Sequence, residues 1–286
     1  MSAEEAEVAL LTKIEAFHLQ TPLGFRFCVL RRPAGGDRSC GTIIHVPAFA
    51  EELNKSRRMI ALAADAWAQD GWTVLQIDLG GCGDSEGDLA DARWDGWLDD
   101  VRCAHQWAQG HGQGPVWLWG LRLGALLASE AAQRFGLDCG LLLWQPVTSG
   151  KQHLHQFLRL WTGAQIVGKA GVAEETSPLK RLARGEPVEV AGYEIAPGLA
   201  QGLEAAQFRV TGTSKGVHWF HVSPTGAMPS SPVLERLQTE WQAAGVGLQV
   251  HSAVGPSFWQ TQEIELAPDL LMQSRQALRR KPGVSL

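Results

Sequence analysis

Short apolar runs alternate along this chain with longer segments whose apolar residues recur at helical spacing. Phe25 to Arg31 reads as a strand, closed by Pro33 and Gly35-Gly36, and Gly41 to Val46 is an apolar run stopped at Pro47, hence a buried strand. Asn54 to Gln69 carries Met59, Ile60, Leu62, Ala63, Ala66 and Trp67 at helical intervals and ends at Gly71, with Asn54 as the expected cap. Trp72 to Ile77 predicts a strand, the Gly- and Asp-rich stretch Asp78 to Asp91 a loop, and Trp94 to Gln109 a second helix. A strand at Pro115 to Trp119, a helix at Leu123 to Phe135 and a strand at Gly140 to Trp144 follow. Strands separated by helices require right-handed crossovers and a mostly parallel sheet with helices on both faces.

After Trp144 the rhythm breaks. Leu154 to Gly163 is helical in pattern, Val188 to Tyr193 is short and irregular, and regular alternation resumes with a strand at Val217 to Val222. A helix from Pro232 to Ala244, a strand from Leu248 to Ala253 and a helix from about Glu265 to Arg279 complete the pattern. The expected organisation is one α/β domain over residues 1–286 with a cap insertion at approximately 145–212. Such an insertion lies at the carboxyl edge of the strands, where open α/β sheets bind ligands.

Composition narrows the function classes. Lys plus Arg is 25 and Asp plus Glu is 30, a net charge of −5, which gives no reason to expect a nucleic-acid partner. No run approaches the roughly 20 apolar residues of a membrane span. The acidic start Met1 to Glu7 is unlike a secretory signal, so a soluble, cytoplasmic protein is expected. The five cysteines are widely spaced without C-x-x-C, and His153-Leu154-His155 lacks further ligands at a recognisable spacing, so neither a metal nor another cofactor is expected. Tryptophan is abundant at 12 residues; Trp72, Trp107, Trp117, Trp119 and Trp144 lie in strand or helix patterns and are assigned to core packing.

The stretch Val116 to Ala128 (VWLWGLRLGALLA) has the layout of the α/β-hydrolase nucleophile elbow, G-x-S-x-G: strand, glycine-flanked tight turn, helix. Its apex is Arg122, where the pattern requires a nucleophile, and a guanidinium stays protonated and is no nucleophile. Asp78 to Ser85 (DLGGCGDS) resembles the D-x-x-G-x-G-x-S loop of the same superfamily, and His45 to Phe49 (HVPAF) lies where backbone donors of an oxyanion hole are placed. These features together predict the α/β-hydrolase fold. The loop Ser223 to Pro229 carries no carboxylate, the loop Val254 to Gln260 carries no histidine, and His251 falls inside the preceding strand. Ordinary Ser-His-Asp catalysis is therefore not expected.

The segments His45 to Met59, Gln76 to Trp97, Trp117 to Leu127, Leu142 to Leu160, Val190 to Tyr193 and Gly255 to Glu263 resemble the "hydrolase 2, exosortase A system-associated" family. The resemblance implies an α/β-hydrolase relative acting among the proteins of exopolysaccharide production and PEP-type protein sorting. It does not fill the empty triad positions.

Arg122 sits at a helix N-terminus, where a positive charge is disfavoured, so it has to face a carboxylate or an anionic ligand. Glu51, Glu52, Asp78, Asp84 and Asp88 are its candidate partners. The ligand-binding set is Arg122, Glu51, Glu52, Asn54, Asp78, Asp84, Leu123 and Ala48, for a small anionic or acyl-bearing molecule. Ser85 or Ser149 as nucleophile, or water activated by Glu52, keeps open the alternative of an ester or thioester hydrolase or acyltransferase. Cys82 has no adjacent base and reads as an inert thiol. A purely structural role at a protein interface is a third reading.

Overall fold

The computed structural model describes residues 12–33, 39–168, 177–209, 215–228 and 231–279. Along the chain run β1 (Lys13–Thr21), β2 (Gly24–Arg32), β3 (Thr42–Val46), α1 (Glu51–Gln69), β4 (Thr73–Ile77), α2 (Trp94–His111), β5 (Val116–Leu121), α3 (Leu123–Phe135) and β6 (Gly140–Trp144). Then come α4 (Gly150–Gly168), α5 (Pro178–Ala183), β7 (Val188–Val190), β8 (Tyr193–Ile195), α6 (Pro197–Ala205), β9 (Val217–Ser223), α7 (Pro232–Ala243), β10 (Leu248–Val254) and α8 (Pro268–Ala277). Eight strands form one sheet in the order β1-β2-β4-β3-β5-β6-β9-β10. The β1-β2 and β2-β4 pairs are antiparallel and the remainder parallel. This is the α/β-hydrolase fold expected from the sequence. Among the described residues no helix is long and apolar enough to cross a membrane.

Every side chain of β3, β5 and β6 is buried, as central parallel strands with helices on both faces demand. On one face, Ile44, Leu118 and Leu143 pack with α2 and α3 residues such as Val101 and Leu126. On the other, Trp67 of α1 meets Trp119 at 4.6 Å between ring centroids, and Trp119 meets Trp144 at 4.8 Å, both edge-on. Trp72 and Trp117 are buried as expected, whereas Trp107 is only partly buried and stacks on Phe17 of β1.

The sequence pattern misses β1. As an edge strand it pairs on one side only, and its exposed Lys13 and half-buried Glu15 face Arg32 and Leu30 across a hairpin turned at Gly24 (φ 101°). Two helices also begin elsewhere: α1 at Glu51 rather than Asn54, and α8 at Pro268 rather than near Glu265. Asn54 is therefore not the helix cap. That place belongs to Ala50, at φ 50° and ψ −125° without a side-chain cap.

The loop after β4 is built by a buried ion pair. Arg26 Nε lies 2.7 Å from Asp100 Oδ1, and Asp100 Oδ2 accepts from the Gly80 amide at 2.8 Å. Ser85 Oγ donates to the Asp78 carbonyl at 2.6 Å and accepts from the Phe27 amide at 2.8 Å, tying the same loop to β2. Between β6 and β9 the chain leaves the sheet and returns. Its two stems are stitched together where the Phe208 amide donates to the Thr148 carbonyl at 2.9 Å and the Gly150 amide to the Ala206 carbonyl at 3.0 Å.

The sharp turn from β5 into α3 depends on its flanking glycines. A Cβ at Gly120 would lie 2.4 Å from Ala125 Cα, and one at Gly124 would lie 2.2 Å from the Val46 carbonyl oxygen. Neither neighbour is a flexible side-chain end. Gly124→Ala is expected to cost about 3 kcal/mol or more. Gly136→Ala, at φ 58° with nothing near its Cβ, should cost about 1 kcal/mol. Urea unfolding of both variants checks the contrast.

Candidate functional site

Arg122 occupies the apex of that turn, at φ 55° and ψ −116°. A side chain in this region costs of order 1–3 kcal/mol and persists only when its surroundings hold it. Here the Arg122 amide donates to the Trp144 carbonyl at 3.0 Å, and its own carbonyl accepts from Ala125 at 3.1 Å and Val147 at 3.2 Å. The side chain points across the strand edge. Its Nε donates to Glu52 Oε1 at 3.1 Å, and its Cζ lies 5.5 Å from the Trp259 ring centroid. The Glu52 contact is the one side-chain hydrogen bond that Arg122 makes among the described residues, and it leaves the two terminal nitrogens free.

Glu52 is brought there by the bend at Ala50, which starts α1 directly after Phe49. Its Oε2 is buried without a hydrogen-bond partner. Burial raises its pKa above the ordinary carboxylate value, while Arg122 and the Gln260 side chain pull it back. Beside it stands His153 from the first turn of α4, whose Nε2 lies 3.9 Å from Glu52 Oε2, too far for a hydrogen bond. Burial, reinforced by the Arg122 charge, pushes the pKa of His153 down to about 3. The imidazole is therefore neutral at pH 7 and forms no ion pair with Glu52, and its Nδ1 is also unpartnered.

These groups open onto a cavity of about 340 Å³. Arg122, Glu52, Lys55 and His153 supply its polar side; Phe49, Phe157 and Trp259 supply an apolar wall. Phe49 and Phe157 pack edge-on at 5.0 Å. A guanidinium with free N–H groups binds planar acids in a fork, and an aromatic wall accepts an apolar body. Among the described residues no group of three or more His, Cys, Asp or Glu could hold a metal ion.

The sequence-derived candidates divide. Arg122, Glu51 and Glu52 share the cavity, and Glu51 also accepts from Tyr193 Oη at 3.0 Å. Asn54 faces outward and donates to Tyr193 Oη at 2.7 Å. Asp78 and Ala48 line a different cavity on the other flank of α1, so Asp78 is not a partner of Arg122. Asp84 is exposed, with its amide donating to Asp78 Oδ2 at 3.1 Å, and Asp88 is exposed beside a short 3-10 turn at Leu89–Asp91. Leu123 lines a narrow cleft of about 10 Å³ with Ala48 and Gly124.

Ser85 is a loop tie, and Ser149 Oγ accepts from the Gln152 amide and the Gln207 side chain; neither hydroxyl is hydrogen-bonded to a histidine. Burial lifts the Cys82 thiol to about 12, so it is not a thiolate at neutral pH. His251 stays in β10, 3.1 Å from His218 Nδ1. Sequence reasoning missed His153, Phe157, Trp259 and Gln260. His153 and Phe157 are four residues apart on one helix face, a spacing visible in the sequence. The loop after β10, where the fold's usual base would be a histidine, delivers Trp259 and Gln260 instead.

A family model described as serine aminopeptidase, S33 (Hydrolase_4) matches residues 38–201. Est1E from Butyrivibrio proteoclasticus, solved with ferulic acid bound, is 14% identical with a TM-score of 0.63, covering 91% of this chain and 96% of its own. An esterase from Pyrococcus furiosus is 13% identical with a TM-score of 0.56, covering 97% and 91%. An α/β serine hydrolase without lid from Xanthomonas campestris is 15% identical with a TM-score of 0.53, covering 95% and 98%. No match is found among curated proteins.

The buried histidines set a pH dependence. His45 and His153 have pKa values lowered from 6.5 to about 3, so between these pH values the unfolded chain binds protons that the folded chain refuses. Stability contributed by each is present above pH 6.5 and lost as pH falls toward 3, on the order of 1 kcal/mol per pH unit. Glu52, with its raised pKa, has the opposite sign and favours the folded state on the acid side. The urea midpoint should fall between pH 7 and pH 5, and His153→Gln should make that fall shallower.

Proposed function

The chain belongs to the serine aminopeptidase S33 family of α/β-hydrolases, and from that premise we propose that the hydrolase site here serves to bind an acid-bearing, partly apolar ligand. One observation carries the reading: a guanidinium stands at the elbow with one of its five N–H donors spent on Glu52 and its terminal nitrogens free beside the cavity. A carboxylate or phosphate would take those donors, and an acyl or aromatic body would lie against Phe49, Phe157 and Trp259. Glu52 keeps the cation paired when no ligand is bound. The segment at approximately 145–212 would then act as a cap, supplying His153 and Phe157 to one side of the ligand. The setting that fits the resembling motifs is the exopolysaccharide and PEP-type sorting system, in the cytoplasm, with proteins of that system as partners.

A second reading rests on the nearness of His153 Nε2 and Glu52 Oε2, 3.9 Å apart and both buried. In that reading Glu52 activates water against an ester or thioester and Arg122 stabilises the oxyanion. The low basicity of His153 and the pairing of Glu52 with Arg122 weigh against it.

Octanoate and phenyl phosphate are expected to raise the melting temperature of the pure protein, while octanol and phenol do not. Arg122→Gln should weaken the acids tenfold to a hundredfold, as the loss of a charge-assisted hydrogen bond implies. Turnover of p-nitrophenyl or thioester substrates that Arg122→Ala abolishes would overturn the binding reading. Turnover unchanged in Glu52→Gln would remove the water route.

A further inference from the structure

The opposite flank of α1 covers a second cavity, of about 190 Å³, between that helix, the antiparallel strand β2 and the carboxyl ends of β3 and β4. It shares no lining residue with the cavity at Arg122. Its polar groups come from four elements: Arg31 from β2, His45 from β3, Ser56 and Arg57 from α1, Gln76 from β4 and Asp78 just beyond it.

The hydrogen bonds within this ring are unevenly spent. Arg31 uses Nε on Asp65 Oδ1 at 2.7 Å and Nη1 on the Gln76 side-chain oxygen, which leaves the Gln76 amide NH₂ without a partner. Ser56 donates to the Leu53 carbonyl. Arg57 spends Nε on Asn54 Oδ1 at 3.2 Å and keeps both terminal nitrogens. Asp78 accepts from the Asp84 amide through Oδ2 and keeps Oδ1. Its carboxyl feels the Arg57 charge, yet no ion pair closes between them. His45 is 6% exposed, packs on Trp119 at 4.5 Å, and has a buried Nε2 without a partner. Leaving a buried group such as His45 Nε2 unsatisfied costs free energy, and a small polar ligand would recover it.

Unspent donors outnumber acceptors here, and one carboxylate stands among them. We propose that this cavity is a second binding site, for a small hydroxylated monocarboxylic acid such as an aldonic or uronic acid. The acid group lies on Arg57 and the Gln76 amide, and a hydroxyl donates to Asp78. The volume agrees: about 190 Å³ is the room of roughly six waters at ~30 Å³ each. That suits a compact six-carbon acid.

Isothermal titration of the full-length protein with sodium D-gluconate and sodium D-glucuronate tests this. At least one should bind saturably with a Kd of about 1 mM or below. Arg57→Gln, an exposed position where folding is not at stake, and Asp78→Asn should each weaken binding at least tenfold. Arg122→Gln should leave it unchanged. Propionate, which lacks the hydroxyls, and D-glucose, which lacks the acid, should bind at least tenfold more weakly. No saturable binding, binding indifferent to Arg57→Gln, equal binding of D-glucose, or loss of binding in Arg122→Gln would overturn the assignment.

Discussion

A cation at the start of a helix is the constraint around which this molecule is arranged. Arg122 stands at the positive end of α3, on a backbone bend with φ 55° that few side chains occupy. Its charge cannot be left bare there, because an unpaired buried charge costs several kcal/mol. Glu52 answers it from α1, and a second bend, at Ala50, brings Glu52 into range. With Glu52 so engaged, the neighbouring His153 is held neutral by burial and by the guanidinium itself. The Trp259 ring covers the cation from the loop after β10. A guanidinium, a carboxylate, a neutral imidazole and an indole thus converge from four separate stretches of chain.

Helix α1 divides the carboxyl edge of the sheet in two. Glu51, Glu52 and Lys55 face one cavity; Leu53, Ser56, Arg57 and Ile60 face the other. This follows from helical geometry, since residues three and four apart share a face. The loop after β4 is fixed independently, by the buried Arg26 and Asp100 pair and by Ser85, and this anchors Asp78 on the second side. The superfamily-like loop motif therefore does structural work here, apart from the elbow.

Much of the fold was legible because it rests on local rules. Central strands read as uninterrupted apolar runs, helices as 3.6-residue stripes, and the elbow as two glycines whose Cβ atoms would strike backbone. β1 was not legible: an edge strand with one wet side and one partner leaves a weak pattern, and its identity depends on the hairpin with β2. Boundaries at Glu51 and Pro268 were missed for a related reason. Ala50 and Ala267 precede those helices without a side-chain cap, so the starts are marked only by the weaker signals of first-turn acids and of Pro268.

Amino-acid order was sufficient to establish the parallel core of the sheet, the bend at Arg122, the absence of a nucleophile at that bend and the need for a carboxylate partner, because each follows from residue type and nearest neighbours along the chain. Which carboxylate answered, that Asp78 belongs to a different cavity, and that His153, Phe157, Trp259 and Gln260 gather at the elbow depended on packing. Those side chains lie up to 138 residues from Arg122 along the chain, and only the crossing of strands and helices brings them within a few ångströms. Contacts between distant segments leave no periodic trace in a linear pattern, so the chemistry of the cleft emerged once the chain was folded.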